Sequence, residues 1–376
     1  MDRERAYCLA WAQVPGVGPV LLRRIQQTFG TLESAWVANP TSLQQVSGIG
    51  PKVLAAIQVT RGTIDPFAFL AQHQVQNPHF LTWIEPNYPR LLKEISDPPL
   101  VLYYRGDPTA AELQGRSPAV AVVGTRDPSD YGKRWTHRLC RTLSRNGFLV
   151  VSGMAEGIDT QAHRSCLEAN QRTFAVLGTG VDVVYPPRNQ GLYEQITQQG
   201  CLLSEYPAGT QPNRAHFPRR NRIIAGLCRA TLVMEAPSRS GALITAYLAN
   251  DYARDVYVLP GNLDNPRALG CLGLLSRGAQ VILSEGHLLE MLGTIPALDP
   301  PHPPPGKPVN LSPQESQLLL TLQQLCQRQE SASVSFDLLA QHWSESTGHL
   351  SSLLLQLELN GQVKQLPGMR YSLCNP

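Results

Sequence analysis

The chain has 376 residues, of which 42% are hydrophobic and 16% charged. This composition is typical of a globular protein with two or three domains and a sizeable core. No apolar run approaches the ~20 residues that a membrane span needs, and the N-terminal residues lack the apolar core of a signal peptide, so we expect a cytoplasmic protein. The eight cysteines are scattered and show no metal-ligand spacing, which predicts reduced thiols and no metal site.

The net charge of +3 is unevenly distributed along the chain. Residues 116–222 contain 14 Lys and Arg against 8 Asp and Glu, a local charge of +6 that leaves −3 for the remainder. Either an anionic partner or ordinary solubilising surface charge accounts for this excess.

The first 60 residues contain an internal repeat, because segment 14–25 recurs as segment 46–57. Each copy has a Gly-x-Gly hairpin that leads into a helix, with backbone amides free at the helix start. The repeat resembles the tandem helix-hairpin-helix module of DNA-repair proteins. We expect a helical (helix-hairpin-helix or SAM-like) domain over residues 1–65, in which the hairpins either contact DNA or only pack the domain.

Residues 66–293 are expected to form an extended Rossmann-like domain. Short apolar segments between Pro-rich turns at 80–106 predict an edge hairpin or a lead-in strand for the sheet. Apolar runs of strand length then alternate with amphipathic helices, which predicts an α/β fold with a parallel sheet covered on both faces. The predicted strands are 119–124, 148–153, 173–178, 202–206, 231–236, 256–260 and 280–282. The predicted helices are 131–146, 158–170, 190–199, 219–228, 241–253, 269–277 and 287–293.

The stretch 216–246 combines an Arg/Asn cluster, an apolar strand and a Ser-x-Ser-Gly-Ala helix start, which is typical of an anion site. Gly and small hydroxyl residues follow several strands, so a ligand can approach the backbone at the carboxyl ends. The usual nucleotide fingerprints are absent, because 124–133 has the wrong spacing for a P-loop and 178–180 lacks the third glycine of a dinucleotide site. We expect no cofactor.

Catalytic candidates are few, and we assign no catalytic residue. Asp159 and His163 lie one helical turn apart, where they can pair, bind metal or simply fix the helix beside the pocket. Glu205 and Glu235 each stand near the end of a strand, as a possible base or as acceptors for loop amides.

Six motifs in order resemble the DNA-processing protein A (DprA/Smf) family. They are Val-Gly-Thr-Arg…Tyr-Gly at 123–132, Val-Ser-Gly-Met-Ala-Glu-Gly-Ile-Asp-Thr-Gln-Ala-His at 151–163, Gly-Thr-Gly-Val-Asp-Val-Val-Tyr-Pro at 178–186, Ser-Glu-Tyr-Pro at 204–207, Phe-Pro-Arg-Arg-Asn-Arg-Ile-Ile-Ala-Gly-Leu at 217–227 and Ser-Gly-Ala-Leu-Ile-Thr-Ala at 240–246. The resemblance implies a non-catalytic, homodimeric single-stranded DNA-binding protein of natural transformation. Such a protein shields incoming DNA, helps to displace single-strand-binding protein and loads the RecA recombinase.

The same resemblance implies that Arg126, Arg214 and Phe217 line a DNA pocket. The residues that shape this pocket would be Gly124, Thr125, Gly153, Asn221, Arg222, Ser240 and Gly241. The guanidinium groups of Arg126, Arg214, Arg219, Arg220 and Arg222 are able to neutralise phosphates, although Arg220 is equally explained as a solvated cation. Phe217 is either a stacking face for a base or a core residue. Glu156 stands where many family members have a basic residue, so the role of its loop is open.

Residues 294–310 form a Pro-rich linker in this interpretation, and 311–376 resemble a winged helix with helices at 313–328, 336–343 and 347–360 and a β wing at 361–373. The third helix contains no Lys or Arg, which favours protein interaction or packing over duplex recognition.

A nucleotide sensor or nucleoside-monophosphate hydrolase is the alternative function, because related Rossmann-like pockets bind a monophosphate. It would need an acidic residue at the sugar, for which Glu235 is the candidate.

Overall fold

The computed structural model describes residues 2–293, 312–328, 333–343, 345–360, 362–366 and 369–373. The chain divides into two compact units, Met1–Leu298 and Asp299–Pro376. The predicted linker at 294–310 lies outside the described residues. Within the described ranges, no helix is both long enough and apolar enough to cross a membrane.

The N-terminal part consists of six helices, and both predicted hairpins are present. The helices are α1 (Asp2–Trp11), α2 (Pro19–Phe29), α3 (Leu32–Val37), α4 (Pro40–Gln44), α5 (Pro51–Thr63) and α6 (Pro66–Gln76). Gly16 and Gly48 open the hairpins at φ of 85° and 103°, a region that glycine adopts without strain. Arg24 of α2 donates from Nη1 to the carbonyl of Ser47 in the other hairpin at 3.0 Å, so the two repeats are joined directly.

The N-terminal helices and the sheet domain share one hydrophobic core. A single cluster of buried side chains includes Trp11 and Ile57 from the helices together with Val123, Val151 and Ile224 from the sheet domain. Residues 1–65 therefore do not form a compact unit separate from residues 66–293, although their fold is helical as expected.

The first unit is organised around a nine-stranded sheet of order β1-β2-β6-β5-β4-β3-β7-β8-β9. The strands are β1 (Phe80–Thr82), β2 (Val101–Gly106), β3 (Ala119–Val123), β4 (Leu149–Ser152), β5 (Thr173–Val176), β6 (Cys201–Ser204), β7 (Ala230–Val233), β8 (Asp255–Val258) and β9 (Gln280–Val281). Strands β3 to β9 are mutually parallel, whereas β1 and β2 pair antiparallel at one edge. The predicted parallel sheet and its edge hairpin are both confirmed.

Helices cover both faces of this sheet. They are α7 (Arg90–Glu94), α8 (Ala110–Leu113), α9 (Asp130–Arg145), α10 (Ile158–Glu168), α11 (Gln190–Gln199), α12 (His216–Leu227), α13 (Gly241–Asp251), α14 (Leu269–Leu275) and α15 (Glu285–Gly293). Alternate residues of a strand point to opposite faces. Val120 accordingly packs in a cluster with α9, α10 and α15, while Ala121 packs in a cluster with α12, α13 and α14.

The second unit has the predicted winged-helix architecture. Its elements are α16 (Pro313–Arg328), β10 (Val334–Ser335), α17 (Phe336–Gln341), α18 (Thr347–Leu359), β11 (Val363–Leu366) and β12 (Arg370–Leu373). The strands form a sheet of order β10-β12-β11 around a core that includes Leu322, Leu354 and Tyr371. The two-residue strand β10 was not predicted, because its partners Tyr371 and Arg370 in β12 are distant in the sequence and two residues are too few to show an alternating pattern.

Candidate functional site

A cavity of about 100 Å³ lies at the carboxyl ends of β3, β4 and β5, where the start of α12 closes it. Parallel α/β sheets place their ligands at this edge. The side chains and loops that line the cavity, called here the strand-end pocket, are Arg126, Gly153, Ala155, Glu156, Leu177, Gly178, Thr179, Tyr185, Pro186, Phe217 and Arg220. Three of the predicted site residues, Arg126, Gly153 and Phe217, are therefore brought together.

Arg220 forms the buried, cationic floor of the strand-end pocket. Its Nη1 atom donates to the carbonyl oxygen of Gly153 at 2.7 Å and to that of Val176. A Cβ atom at position 153 would lie 2.6 Å from the Arg220 guanidinium, so glycine is required there for this approach. Burial lowers the pKa of Arg220 to about 10, which leaves it charged at neutral pH. The alternative that Arg220 is a solvated cation is wrong, because the side chain is buried.

Asp159 fixes the start of α10 beneath this floor and His163 ties the middle of α10 to β5, as one of the three interpretations predicted. Asp159 accepts hydrogen bonds from the backbone N–H groups of Gly153 at 3.1 Å and Ala155 at 3.4 Å. Burial raises the pKa of Asp159, although the nearby Arg220 guanidinium opposes this effect. His163 is fully buried, with Nδ1 2.8 Å from Oγ1 of Thr173. No group of three or more potential metal ligands occurs in the parts of the chain that the structure describes.

The buried His163 predicts a loss of stability in acid. Burial lowers its pKa to about 3, with a smaller contribution from Arg220, whereas a histidine in an unfolded chain binds a proton near pH 6.5. The contribution of neutral His163 to the free energy of unfolding is thus complete above about pH 6.5. As the pH drops below about 6.5, this contribution decreases by up to about 1.4 kcal/mol per pH unit. Urea unfolding between pH 7.5 and 5 should show this slope in the wild type and a shallower one in His163→Gln.

The matched control is His79→Gln, since His79 is exposed. It should keep the wild-type slope. Equal slopes for wild type and His163→Gln would contradict the assignment of the acid sensitivity to His163.

Phe217 and Tyr185 form an aromatic pair at the mouth of the pocket. Their ring centroids are 5.3 Å apart with an interplanar angle of 32°. Phe217 also packs on Gly178, where a Cβ atom would come within 2.9 Å of the ring. The Cζ atom of the exposed Arg126 lies 6.0 Å from the centroid of the Phe217 ring. The mouth therefore combines a flat apolar face with a guanidinium group.

Gly124 and Thr125 shape the pocket from behind without lining it. The Thr125 amide donates to the carbonyl oxygen of Glu235 at 2.7 Å, which ties the loop after β3 to the loop after β7. A Cβ atom at position 124 would lie 2.5 Å from Cγ1 of Ile158, so the loop requires glycine to pack against α10.

Asn221, Ser240 and Gly241 lie at the junction of α12 and α13, outside the set of lining residues. Asn221 donates from Nδ2 to the carbonyl oxygen of Gly241 at 3.2 Å. The Ser240 hydroxyl caps α13 by accepting from the backbone N–H of Ala242 at 3.2 Å. These contacts hold α12 against the start of α13, so Asn221, Ser240 and Gly241 support the pocket from outside and do not line it.

Arg214 and Arg219 are exposed and flank the start of α12. Arg214 precedes the helix and Arg219 lies in its first turn, and neither lines the strand-end pocket. Both remain accessible to a ligand that extends beyond the pocket.

The structure corrects the expectation that Arg222 neutralises a phosphate. Its guanidinium is buried and paired with Glu205 at 2.6 Å and with Asp97 at 3.2 Å. Arg220 and Arg222 are two residues apart on a helix and so point in nearly opposite directions. Arg222 therefore braces α12 from the side away from the pocket.

The two carboxylates considered as bases are also engaged away from the pocket. Glu205 accepts from Arg222, and Glu235 is only 2% exposed, with its carboxylate bound to the Ser129 amide at 2.8 Å and to the Ser129 hydroxyl at 2.5 Å. Glu156 does line the pocket, where it pairs with Arg188 at 3.1 Å.

Tyr185, Pro186 and Thr179 were not predicted as site residues. They belong to the Gly-Thr-Gly…Tyr-Pro motif at 178–186, which was noted only as a resemblance. An aromatic residue beside a proline in a loop that follows a predicted strand was the available signal, since exposed aromatics are common at binding sites.

The strand-end pocket has the chemistry of an anion-binding site with a stacking face, and it lies in a chain that also carries a winged helix. Guanidinium groups beside an aromatic ring are a combination that proteins use for nucleic acids. The model of the DNA recombination-mediator protein A family matches residues 79–293, and that of the DprA winged helix domain matches residues 301–369. The chain belongs to the DNA recombination-mediator protein A family.

Known relatives agree with this assignment. The chain is 48% identical to protein Smf of Synechocystis sp., in an alignment that covers 98% of this chain and 99% of the relative. It is 39% identical to DNA processing protein DprA of Bacillus subtilis, over 59% of this chain and 74% of the relative. The crystal structure of DNA processing protein A from Streptococcus pneumoniae superposes with a TM-score of 0.66 at 34% identity, over 77% of this chain and 98% of that one.

The chain is also similar to DNA processing protein A from Helicobacter pylori, whose structure describes the single-stranded DNA binding mode of that protein. Its TM-score is 0.51 at 33% identity, and the match covers 57% of this chain and 95% of that one.

Proposed function

We propose that this protein binds single-stranded DNA at the strand-end pocket and acts as a recombination mediator. The observation that supports this most is the juxtaposition of Arg126, Phe217 and Arg220 around one cavity. The single-stranded DNA binding of the similar Helicobacter pylori protein favours the same ligand.

The chemistry of the pocket suits the backbone of a single strand. Arg126 is exposed and able to pair with a phosphate, while the buried Arg220 supplies a fixed positive charge beneath it. Phe217 presents a ring on which any base can stack. Guanidinium groups, backbone and aromatic faces do not read base edges, so we expect weak sequence preference.

The wider role that we propose is protection of incoming DNA and loading of RecA recombinase during natural transformation. In this role the protein is a non-catalytic homodimer that helps to displace single-strand-binding protein. The test is RecA filament assembly on DNA coated with single-strand-binding protein. Addition of this protein should shorten the lag, and an unchanged lag would remove RecA loading from the proposal while leaving DNA binding intact.

Phe217→Ala should weaken binding of single-stranded DNA by about 5- to 150-fold, because base stacking on an aromatic ring contributes roughly 1–3 kcal/mol. A gel-shift comparison of single-stranded and duplex DNA across a salt series measures this loss. Phe217→Trp keeps the stacking face and is the matched control. Equal affinity for wild type and Phe217→Ala would show that Phe217 only packs the pocket wall.

A nucleotide sensor or nucleoside-monophosphate hydrolase is the alternative that the strand-end location suggests. That reaction needs an acidic residue at the sugar, whereas Glu235 is buried against Ser129 and does not line the pocket. Release of a base from a nucleoside monophosphate, abolished in Glu235→Gln, would nevertheless establish the enzyme.

A further inference from the structure

The loop that follows β5 carries two side chains that the DNA-binding assignment does not use. Tyr185 lines the strand-end pocket, and Arg188 lies in the short turn Pro187–Asn189 that follows it. Asn189 anchors this turn, since its Nδ2 atom donates to the carbonyl oxygen of Met154 at 3.0 Å and to Oγ1 of Thr160 at 2.9 Å. The turn is therefore tied to the loop after β4 and to the first turn of α10.

Tyr185 offers a second aromatic surface beside Phe217. Its side chain is 37% exposed, although large aromatic residues are usually more buried. The 32° tilt and the 5.3 Å centroid separation mean that the two rings do not cover each other face to face. The exposed part of Tyr185 is therefore available to a base, and stacking of this kind does not depend on base identity.

Arg188 is a cation at the rim of the pocket and is held there by a weak contact. Its side chain is 74% exposed, and its Nε atom lies 3.1 Å from Oε1 of Glu156. An exposed ion pair of this kind contributes little to the stability of the fold, so its rearrangement around a phosphate costs little. A guanidinium can also use its Nη atoms for a phosphate while Nε stays on the carboxylate.

The charge balance at the rim points the same way. Glu156 lines the pocket and would repel a phosphate if it stood alone. Because Arg188 neutralises Glu156, this side of the pocket is open to an anionic strand. The acidic residue thus positions the arginine that compensates for it.

We propose that residues 185–188 form a second part of the single-stranded DNA path, in which Tyr185 stacks a base next to the one on Phe217 and Arg188 contacts the adjoining phosphate. This inference rests on the proposed DNA-binding function. In this arrangement the bound DNA runs from Arg126 and Phe217 across the mouth of the pocket toward Arg188.

The test measures the affinity of the full chain for oligothymidine over a salt series. Arg188→Ala should weaken binding about 10-fold and reduce the slope of log K against log salt by about 0.7, the value for one phosphate contact on a single strand. Tyr185→Leu should weaken binding about 5- to 150-fold with an unchanged slope, and Tyr185→Phe should restore it. In Glu156→Gln/Arg188→Ala the loss should be smaller than in Arg188→Ala alone.

Arg145→Ala is the charge-matched control. Arg145 is exposed at the end of α9 and precedes β4, so it lies near the amino ends of the parallel strands and the pocket lies at their carboxyl ends. It should retain wild-type slope and affinity. Wild-type binding by both Arg188→Ala and Tyr185→Leu, together with weakened binding by Phe217→Ala, would overturn this inference and leave the proposed function standing. Absence of salt-dependent binding in the wild type would overturn both.

Discussion

The double variant Arg126→Ala/Arg214→Ala is expected to lose about 100-fold in affinity for single-stranded DNA. A hydrogen bond to a charged group contributes about 1.5 kcal/mol at the lower end of the usual range, and this lower value suits exposed side chains. Two such contacts correspond to about 3 kcal/mol of binding free energy. Loss of two phosphate contacts should also reduce the slope of log K against log salt by about 1.4. Fluorescence anisotropy with a labelled oligothymidine at several salt concentrations measures both quantities.

The fold of this variant should be unaffected, because both arginines are exposed. Its control is Arg116→Ala/Arg145→Ala, which removes the same charge from exposed positions just before β3 and β4 at the amino edge of the sheet. We expect this control to bind almost as the wild type does. Undiminished affinity in Arg126→Ala/Arg214→Ala, or equal losses in the two double variants, would refute a specific phosphate path at the pocket.

Arg222→Met should have the largest effect on stability, with a loss of about 3–5 kcal/mol in the free energy of unfolding of the first unit. The substitution leaves the carboxylate of Glu205, which is 11% exposed, buried without its cation. Asp97 is 47% exposed and can regain water, so its contribution to the loss is smaller. Urea unfolding of the full chain, followed by tryptophan fluorescence, measures the change.

The companion variant Arg222→Met/Glu205→Leu removes both buried charges and should recover most of the lost stability. The affinity of the single variant Arg222→Met for single-stranded DNA, measured at a temperature where this variant is folded, should stay within about twofold of the wild type. The reason is that Arg222 faces away from the pocket. Normal stability of Arg222→Met combined with a strong loss of DNA affinity would show that Arg222 contacts DNA and would contradict the buried ion pair.

Much of the fold follows from local patterns in the sequence. Apolar runs of strand length, separated by amphipathic segments, placed each strand of the parallel sheet within three residues of its observed ends, and α11 is observed at 190–199 as expected. Glycine and proline marked the hairpins before α2 and α5. These features are local, because each depends on the preference of a short segment for one backbone conformation.

The site was only partly predictable. Arg126, Gly153 and Phe217 were placed at the pocket through motifs, and the structure brings them together. Arg220 and Arg222 could not be distinguished, since both are arginines on the same helix and the sequence does not show what covers each of its faces. Their difference arises from packing, which directs one toward Gly153 and the other toward Glu205.

The sequence by itself therefore determined the order of helices and strands, the edge of the sheet at which ligands are expected and the family. Only the tertiary structure decided that Arg220 forms the pocket floor, that Glu235 is bound to Ser129 and that Tyr185 stands beside Phe217. The periodicity of a sequence indicates which residues share a face of a helix or strand. The charged group or ring that packs against that face comes from a segment far away in the chain, and a local sequence pattern does not predict such contacts.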